Sequence, residues 1–129
     1  MGAMLTDSMI TTMLPVSDTE RAGHFYADSL GLEQTGKGED GTLYFAAGAG
    51  AIGLRPMPAG TQSENTALSF EVTNLETEIS DLERKGVHFQ DFEMEGLKTV
   101  NHIAELGSER AAWFNDSEGN VLCLHQGLT

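Results

Sequence analysis

Leu14-Pro15-Val16-Ser17-Asp18-Thr19-Glu20 and Phe70-Glu71-Val72-Thr73-Asn74-Leu75-Glu76 are two copies of one pattern. Val16 and Val72 lie 56 positions apart, as do Ser17 and Thr73, and Glu20 and Glu76. In each copy a short apolar strand runs into a helical pattern. Ser17/Glu20 and Thr73/Glu76 have the S/T-x-x-E spacing of a capping box, in which hydroxyl and carboxylate each satisfy a backbone N–H. Leu30-Gly31 and Lys85-Gly86 close the two helices, glycine being the favoured residue just past a helix end. A repeated strand–helix unit predicts two similar modules about a pseudo-two-fold axis.

Working outward from these units, residues 10–16 are β-branched and apolar and predict a strand, with Pro15 suited to an edge. Ala22, Phe25, Tyr26 and Leu30 form the buried stripe of the first helix. Residues 31–41 suit a short irregular strand or loop. Leu43-Tyr44-Phe45 and Ala51-Ile52-Gly53-Leu54-Arg55 predict two strands joined by a glycine-rich turn. Residues 57–66 are polar and form the expected linker. In the second half, residues 67–72 alternate with period two. Leu75, Ile79 and Leu82 follow at helical spacing, and Val87-His88-Phe89 begins a strand. Glu93 to Gly107 fits neither period. Arg110 to Phe114 and Val121 to His125 are strands joined by the Asx-type turn Asp116-Ser117-Glu118-Gly119-Asn120. The expectation is α+β, with β-α-β-β-β written twice: a leader over residues 1–9, modules over 10–56 and 67–126, and a tail over 127–129.

Composition narrows the function. The chain has 129 residues, enough for one domain or two half-domains sharing a core. Its net charge of −13, from 7 basic and 20 acidic side chains, repels phosphate backbones and anionic lipid, so neither nucleic acid nor membrane is an expected partner. One cysteine, Cys123, leaves no internal disulfide. No apolar run approaches the ~20 residues of a membrane helix. Met1-Gly2-Ala3-Met4 lacks the basic and apolar regions of a signal peptide. A cytoplasmic location is expected.

Three stretches resemble the vicinal oxygen chelate superfamily, also called the glyoxalase/bleomycin resistance/dioxygenase family. They are Leu14 to Asp18 with Phe25-Tyr26 and Leu30-Gly31-Leu32; Phe70-Glu71-Val72 with its helix and Gly86-Val87; and Ala112-Trp113-Phe114-Asn115-Asp116-Ser117-Glu118-Gly119-Asn120. The last is close to the family's aromatic-x-D-P-x-G-N turn, with Ser117 where proline is usual. Gly96 to Val100 with Ile103-Ala104-Glu105 is similar to a bacterial branch without an assigned activity. The resemblance implies that each sheet curves into half of a ligand-binding cup and that two chains pair as a homodimer.

In the family's metal enzymes the ligands come from the first and last strand of each module, and three or four His, Glu or Gln side chains are needed there. Carried through the repeat, those positions are Thr11, Gly53, Ala67 and Cys123, a set unsuited to a metal, so no cofactor is expected. His24, His88, His102 and His125 are expected in structural roles, least clearly His125. Strand alternation directs Thr11, Met13, Pro15, Gly53, Arg55, Ala67, Ser69, Glu71, Cys123 and His125 into the cavity. Arg55 either holds an anionic group of a ligand or pairs with Glu71. Trp113 either stacks on a planar ligand or belongs to the core. Cys123 is expected to be a buried, inert thiol. The expected function is metal-free binding of a small organic molecule, drug-like or an aromatic metabolite, by Thr11, Met13, Arg55, Ser69, Glu71, Trp113, Cys123 and His125. The alternative is a lyase, isomerase or dioxygenase of the same superfamily with an atypical metal or acid/base site.

Overall fold

The two helix starts keep their 56-residue spacing, but the capping residues lie one position later than the hydroxyls suggest. Asp18 and Asn74 hold the extended backbone of an N-cap (φ −135° and −142°), and their side chains accept from the amides of Arg21 and Thr77, each at 3.0 Å. Asp and Asn are at least as good at this position as Ser and Thr. Ser17 Oγ instead accepts from the Arg21 guanidinium at 3.4 Å. Glu76 pairs its carboxylate with Arg110.

The computed structural model describes residues 5–127 and divides between Thr61 and Gln62 into two compact units. The leader residues 1–4 and tail residues 128–129 lie outside the described residues. In the first unit, β1 (Thr11–Val16) leads to α1 (Thr19–His24), then β2 (Glu33–Lys37), β3 (Leu43–Ala47) and β4 (Gly50–Pro56). The sheet order is β1-β4-β3-β2, with β1 parallel to β4 and the other pairs antiparallel. The α-helical hydrogen bonding ends sooner than the apolar stripe predicts. Phe25–Ser29 form a π-helical turn in which the Leu30 amide reaches back to Phe25 O at 3.1 Å. That turn still buries Tyr26 completely, against Phe45.

The second unit repeats the frame and enlarges it. β5 (Thr66–Glu71) leads to α2 (Leu75–Arg84), then β6 (Glu93–Met94), β7 (Leu97–Val100), β8 (Ile103–Leu106), β9 (Glu109–Asn115) and β10 (Val121–Gly127). The order is β5-β10-β9-β8-β7-β6, again with first and last strands parallel. α2 ends in a Schellman motif: Gly86 at φ 89° lets its amide reach Glu83 O while the Val87 amide reaches Leu82 O. The strand expected at Val87-His88-Phe89 is reduced to one bridge, Phe89 to Phe114. The unassigned stretch from Glu93 to Gly107 forms two tight hairpins. Asn101 and His102, at φ 54° and 72°, supply the two left-handed central residues of the β7–β8 turn.

Each unit buries the side of its sheet that meets its helix. Leu14, Val16, Phe45, Ile52 and Leu54 do so in the first; Leu75, Ile79, Leu82, Phe114, Leu122 and Leu124 in the second. Full burial of such a side chain is worth roughly 1.5–3 kcal/mol. Among the described residues, no helix is long and apolar enough to cross a membrane.

Candidate functional site

Period-two alternation divides the second sheet into a helix side and a side away from the helix. On the helix side, Gln126 accepts from the Leu75 amide at 2.7 Å, and Arg110 grips Glu76 through both terminal nitrogens at 2.6 and 2.9 Å. Arg110 and Gln126 therefore face α2, and their strand neighbours Ala111 and His125 face away. Register extends that second face across three strands. Cys123 sits opposite Trp113 on β9 and Ser69 on β5; His125 sits opposite Ala111 and Glu71. Five predicted residues, Ser69, Glu71, Trp113, Cys123 and His125, thus share one surface. Trp113 belongs to this side and not to the helix-facing core.

A short chain of polar contacts crosses the surface. Ser69 Oγ lies 2.6 Å from His125 Nδ1, and His125 Nε2 lies 3.6 Å from Glu71 Oε1. The Glu71 side chain is 83% exposed and His125 only 27%, so a half-buried ring meets a solvated carboxylate. Trp113 Nε1 donates to Thr66 Oγ1 at 3.1 Å, and Phe92 meets the indole edge-on at 5.6 Å. A bulge explains why Thr66 stands here. The ladder steps from Val121–Thr66 to Leu122–Leu68, so Ala67 drops out of the pairing. Cys123 is buried, donates weakly to Leu124 O, and has its thiol pushed up by that burial, with the Ser69 hydroxyl partly offsetting the shift. An inert thiol follows.

The corresponding face of the first unit is packed differently. Met13 and Tyr44 both lie opposite Gly53, the relation that Ser69 and Trp113 have to Cys123. A Cβ on Gly53 would stand 2.7 Å from Met13 Sδ and 3.2 Å from a Tyr44 ring carbon, so those side chains occupy the room that a longer residue would take. Thr11 lies opposite Ala51, and Pro15 opposite Arg55. Arg55 is exposed. The Asp40 carboxyl is held below its usual range first by the Thr42 amide, 3.0 Å away, and to a smaller extent by the Arg55 guanidinium. Sequence reasoning missed Tyr44 and Thr66. Tyr44 was reachable, since the repeat matches Leu43-Tyr44-Phe45 with Ala112-Trp113-Phe114.

The four positions that the resemblance assigns to metal ligands do not fit a metal here. Gly53 has no donor and no room for one. Ala67 has no donor and is bulged out of register, Cys123 is a buried neutral thiol, and Thr11 offers one hydroxyl. The other histidines are engaged or peripheral. His24 faces Asp28 at 3.4 Å on the helix surface, His102 lies between Glu83 and Asp91, and His88 is exposed.

A cavity of about 840 Å³ opens on the helix side of the second sheet, between α2 and the β6–β8 hairpins. Glu76, Glu83, Met94, Val100, His102 and Arg110 are among its walls, and none of the predicted site residues is. It is therefore distinct from the surface that carries Trp113. The Arg110 guanidinium, through its paired hydrogen bonds, holds the Glu76 carboxyl down at about 2. A carboxyl depressed on folding stabilises fully above its unfolded value near 4.5 and loses that contribution as pH falls toward 2. A carbon-detected titration of Glu76 is expected to show a midpoint of about 2 in the native protein and a return toward 4.5 in Arg110→Ala. An unchanged midpoint in the variant would contradict the assignment.

No protein-family model matches the sequence. No curated protein matches it. Solved structures do. An antibiotic-binding protein from Streptomyces sp. CB03234 superposes with a TM-score of 0.74 at 24% identity, over 97% of this chain and 99% of that one. A glyoxalase/bleomycin resistance protein from the same organism gives 0.69 at 25% identity, over 92% and 100%. A lactoylglutathione lyase from Agrobacterium tumefaciens gives 0.71 at 16% identity, over 95% of each chain. The chain has the fold of the glyoxalase/bleomycin resistance proteins, within the vicinal oxygen chelate superfamily. A binding protein and a lyase share this scaffold, so the fold leaves the function to the site.

Proposed function

We propose that the protein binds a small, planar organic molecule without a metal, on the surface that carries Trp113. The carrying observation is the half-buried indole standing beside the small side chains of Ser69, Ala111 and Cys123. Aromatic stacking on Trp113 would supply most of the binding energy, and Ser69, His125 and Glu71 would orient polar groups of the ligand. Likeness to an antibiotic-binding protein supports the same reading. On the first unit, taken by itself, Thr11, Met13 and Arg55 are proposed as contacts for a small molecule, Arg55 for an anionic group.

Trp113 is the sole tryptophan, so intrinsic fluorescence reports on this surface alone. Acridone, a neutral planar tricycle, and a panel of planar aromatic antibiotics are the probes. Saturable quenching by at least one of them is expected, together with thermal stabilisation worth about 2.7 kcal/mol at a hundredfold excess over Kd. Ser69→Phe, which fills the space flanking Cys123, should weaken binding at least tenfold. If no probe either quenches or stabilises, the binding reading fails.

The proposal includes a cytoplasmic homodimer. Exposed Met9, Ile10 and Met13 beside the edge strand β1 support a partner surface in the first unit. Light scattering should give twice the monomer mass, and Ile10→Glu should shift it toward the monomer. A monomer in both cases would contradict it.

A further inference from the structure

The contacts among Ser69, His125 and Glu71 resemble an activated nucleophile: a hydroxyl on a base, and a carboxylate facing the other ring nitrogen of the base at 3.6 Å. We infer that Ser69 is a nucleophile for acyl transfer from activated esters, with His125 as its general base and Glu71 as the residue that positions His125. The inference shares the proposed binding surface but goes beyond binding.

The geometry comes from two parallel strands in register. His125 on β10 stands opposite Glu71 on β5, and Ser69 stands opposite Cys123, one pair further along. The Val72 amide donates to His125 O at 2.8 Å, anchoring the backbone beneath the ring. Ser69 Oγ lies 2.6 Å from Nδ1, inside the reach required of a general base. The opposite ring nitrogen faces Glu71 at 3.6 Å, and in the tautomer with hydrogen on that Nε2 the Nδ1 lone pair is turned to Ser69. Ser69 itself is exposed, so an ester carbonyl can reach it. The neighbouring thiol is a poor competitor, being buried and shifted toward its neutral form.

In the acylation step, Ser69 Oγ bonds to the carbonyl carbon, its proton passes to His125 Nδ1, and the bond to the leaving aryl oxide breaks. The aryl oxide departs as a phenol after taking that proton, or as a phenolate while His125 passes the proton to water, so that His125 is neutral again in either case. In the second step water attacks the acyl-serine carbonyl and His125 accepts its proton. The carboxylic acid is released as the proton returns to Ser69 Oγ. Atoms balance with water as the only co-reactant. An exposed serine with one base suits esters whose leaving group departs without protonation, and aryl esters are therefore the substrate class.

The test is the reaction of the full chain with p-nitrophenyl acetate, followed by absorbance and by mass mapping of the trapped protein. One acetyl group per chain on the Ser69 peptide is expected, and none in Ser69→Ala. His125→Ala should slow acetylation about 100-fold, the lower end of general-base contributions. Glu71→Gln should lower the maximal rate by up to about fivefold, as befits an exposed pair, without changing half-saturation. Circular dichroism confirms that each variant is folded. Acetylation confined to lysine or Cys123, or an unchanged rate in folded His125→Ala, would overturn the inference. Acridone titration separates the two readings. Binding with a silent Ser69 removes the nucleophile alone, and an acetylated Ser69 without planar-ligand binding removes the binding proposal alone.

Discussion

Phe114→Ala is expected to destabilise the second unit by about 3–5 kcal/mol, the usual cost of removing a buried aromatic ring. Phe114 is completely buried on β9, opposite Leu122, on the side of the sheet that meets α2. Its ring lies 5.2 Å from that of Phe89, and Phe89 and Phe114 also form a backbone bridge between the chain after α2 and the sheet. Truncation therefore removes transfer energy, leaves a cavity and loosens that bridge together. Urea denaturation followed by circular dichroism measures the loss, and Phe114→Leu should recover much of it by refilling volume. A cost below about 1 kcal/mol for the alanine variant would mean that the ring is not part of a packed core.

Asp116→Ala should cost about 3 kcal/mol, because it orphans several donors at once. The Asp116 carboxylate accepts from the Glu118 amide at 2.8 Å, the Asn120 amide at 2.9 Å and the Asn120 side-chain amide at 2.9 Å. Asp116 and Asn120 are both buried, so water cannot take over these bonds freely. The damage should reach the site, since this turn delivers β10 with Cys123 and His125. Hydrogen exchange along β10 should accelerate. Asp116→Asn, which keeps a carbonyl acceptor, should lose roughly half as much. Equal stability of the alanine variant and the native protein would contradict the assigned role of the turn.

The duplicated stretch carried most of the fold. Residues 56 apart, Met13 and Ser69, or Pro15 and Glu71, occupy equivalent places beside the last strand of their unit. The same ruler failed where local chemistry departs from counting. Counting five back from Val72 gives Ala67, but a bulge is invisible to a period-two count, and Thr66 is the residue that meets Trp113. The capping box was misplaced because Asp18 and Asn74, next to the hydroxyls, start the helices one residue later and take the Arg21 and Thr77 amides. The β7–β8 hairpin escaped notice because its left-handed pair is Asn101-His102, without the glycine that usually marks such a turn. Packing at Gly53 was hidden too, since the atoms that fill its space belong to Met13 and Tyr44. The face of Trp113 stayed open in the sequence until Arg110, three residues earlier, was found on Glu76.

The most direct test of metal-free binding at Trp113 is one titration of its fluorescence with the tightest planar probe, run once with excess EDTA and once with zinc. Equal affinities in the two runs, with binding weakened at least tenfold by Ser69→Phe in both, are expected. Binding that appears only with the metal would contradict it.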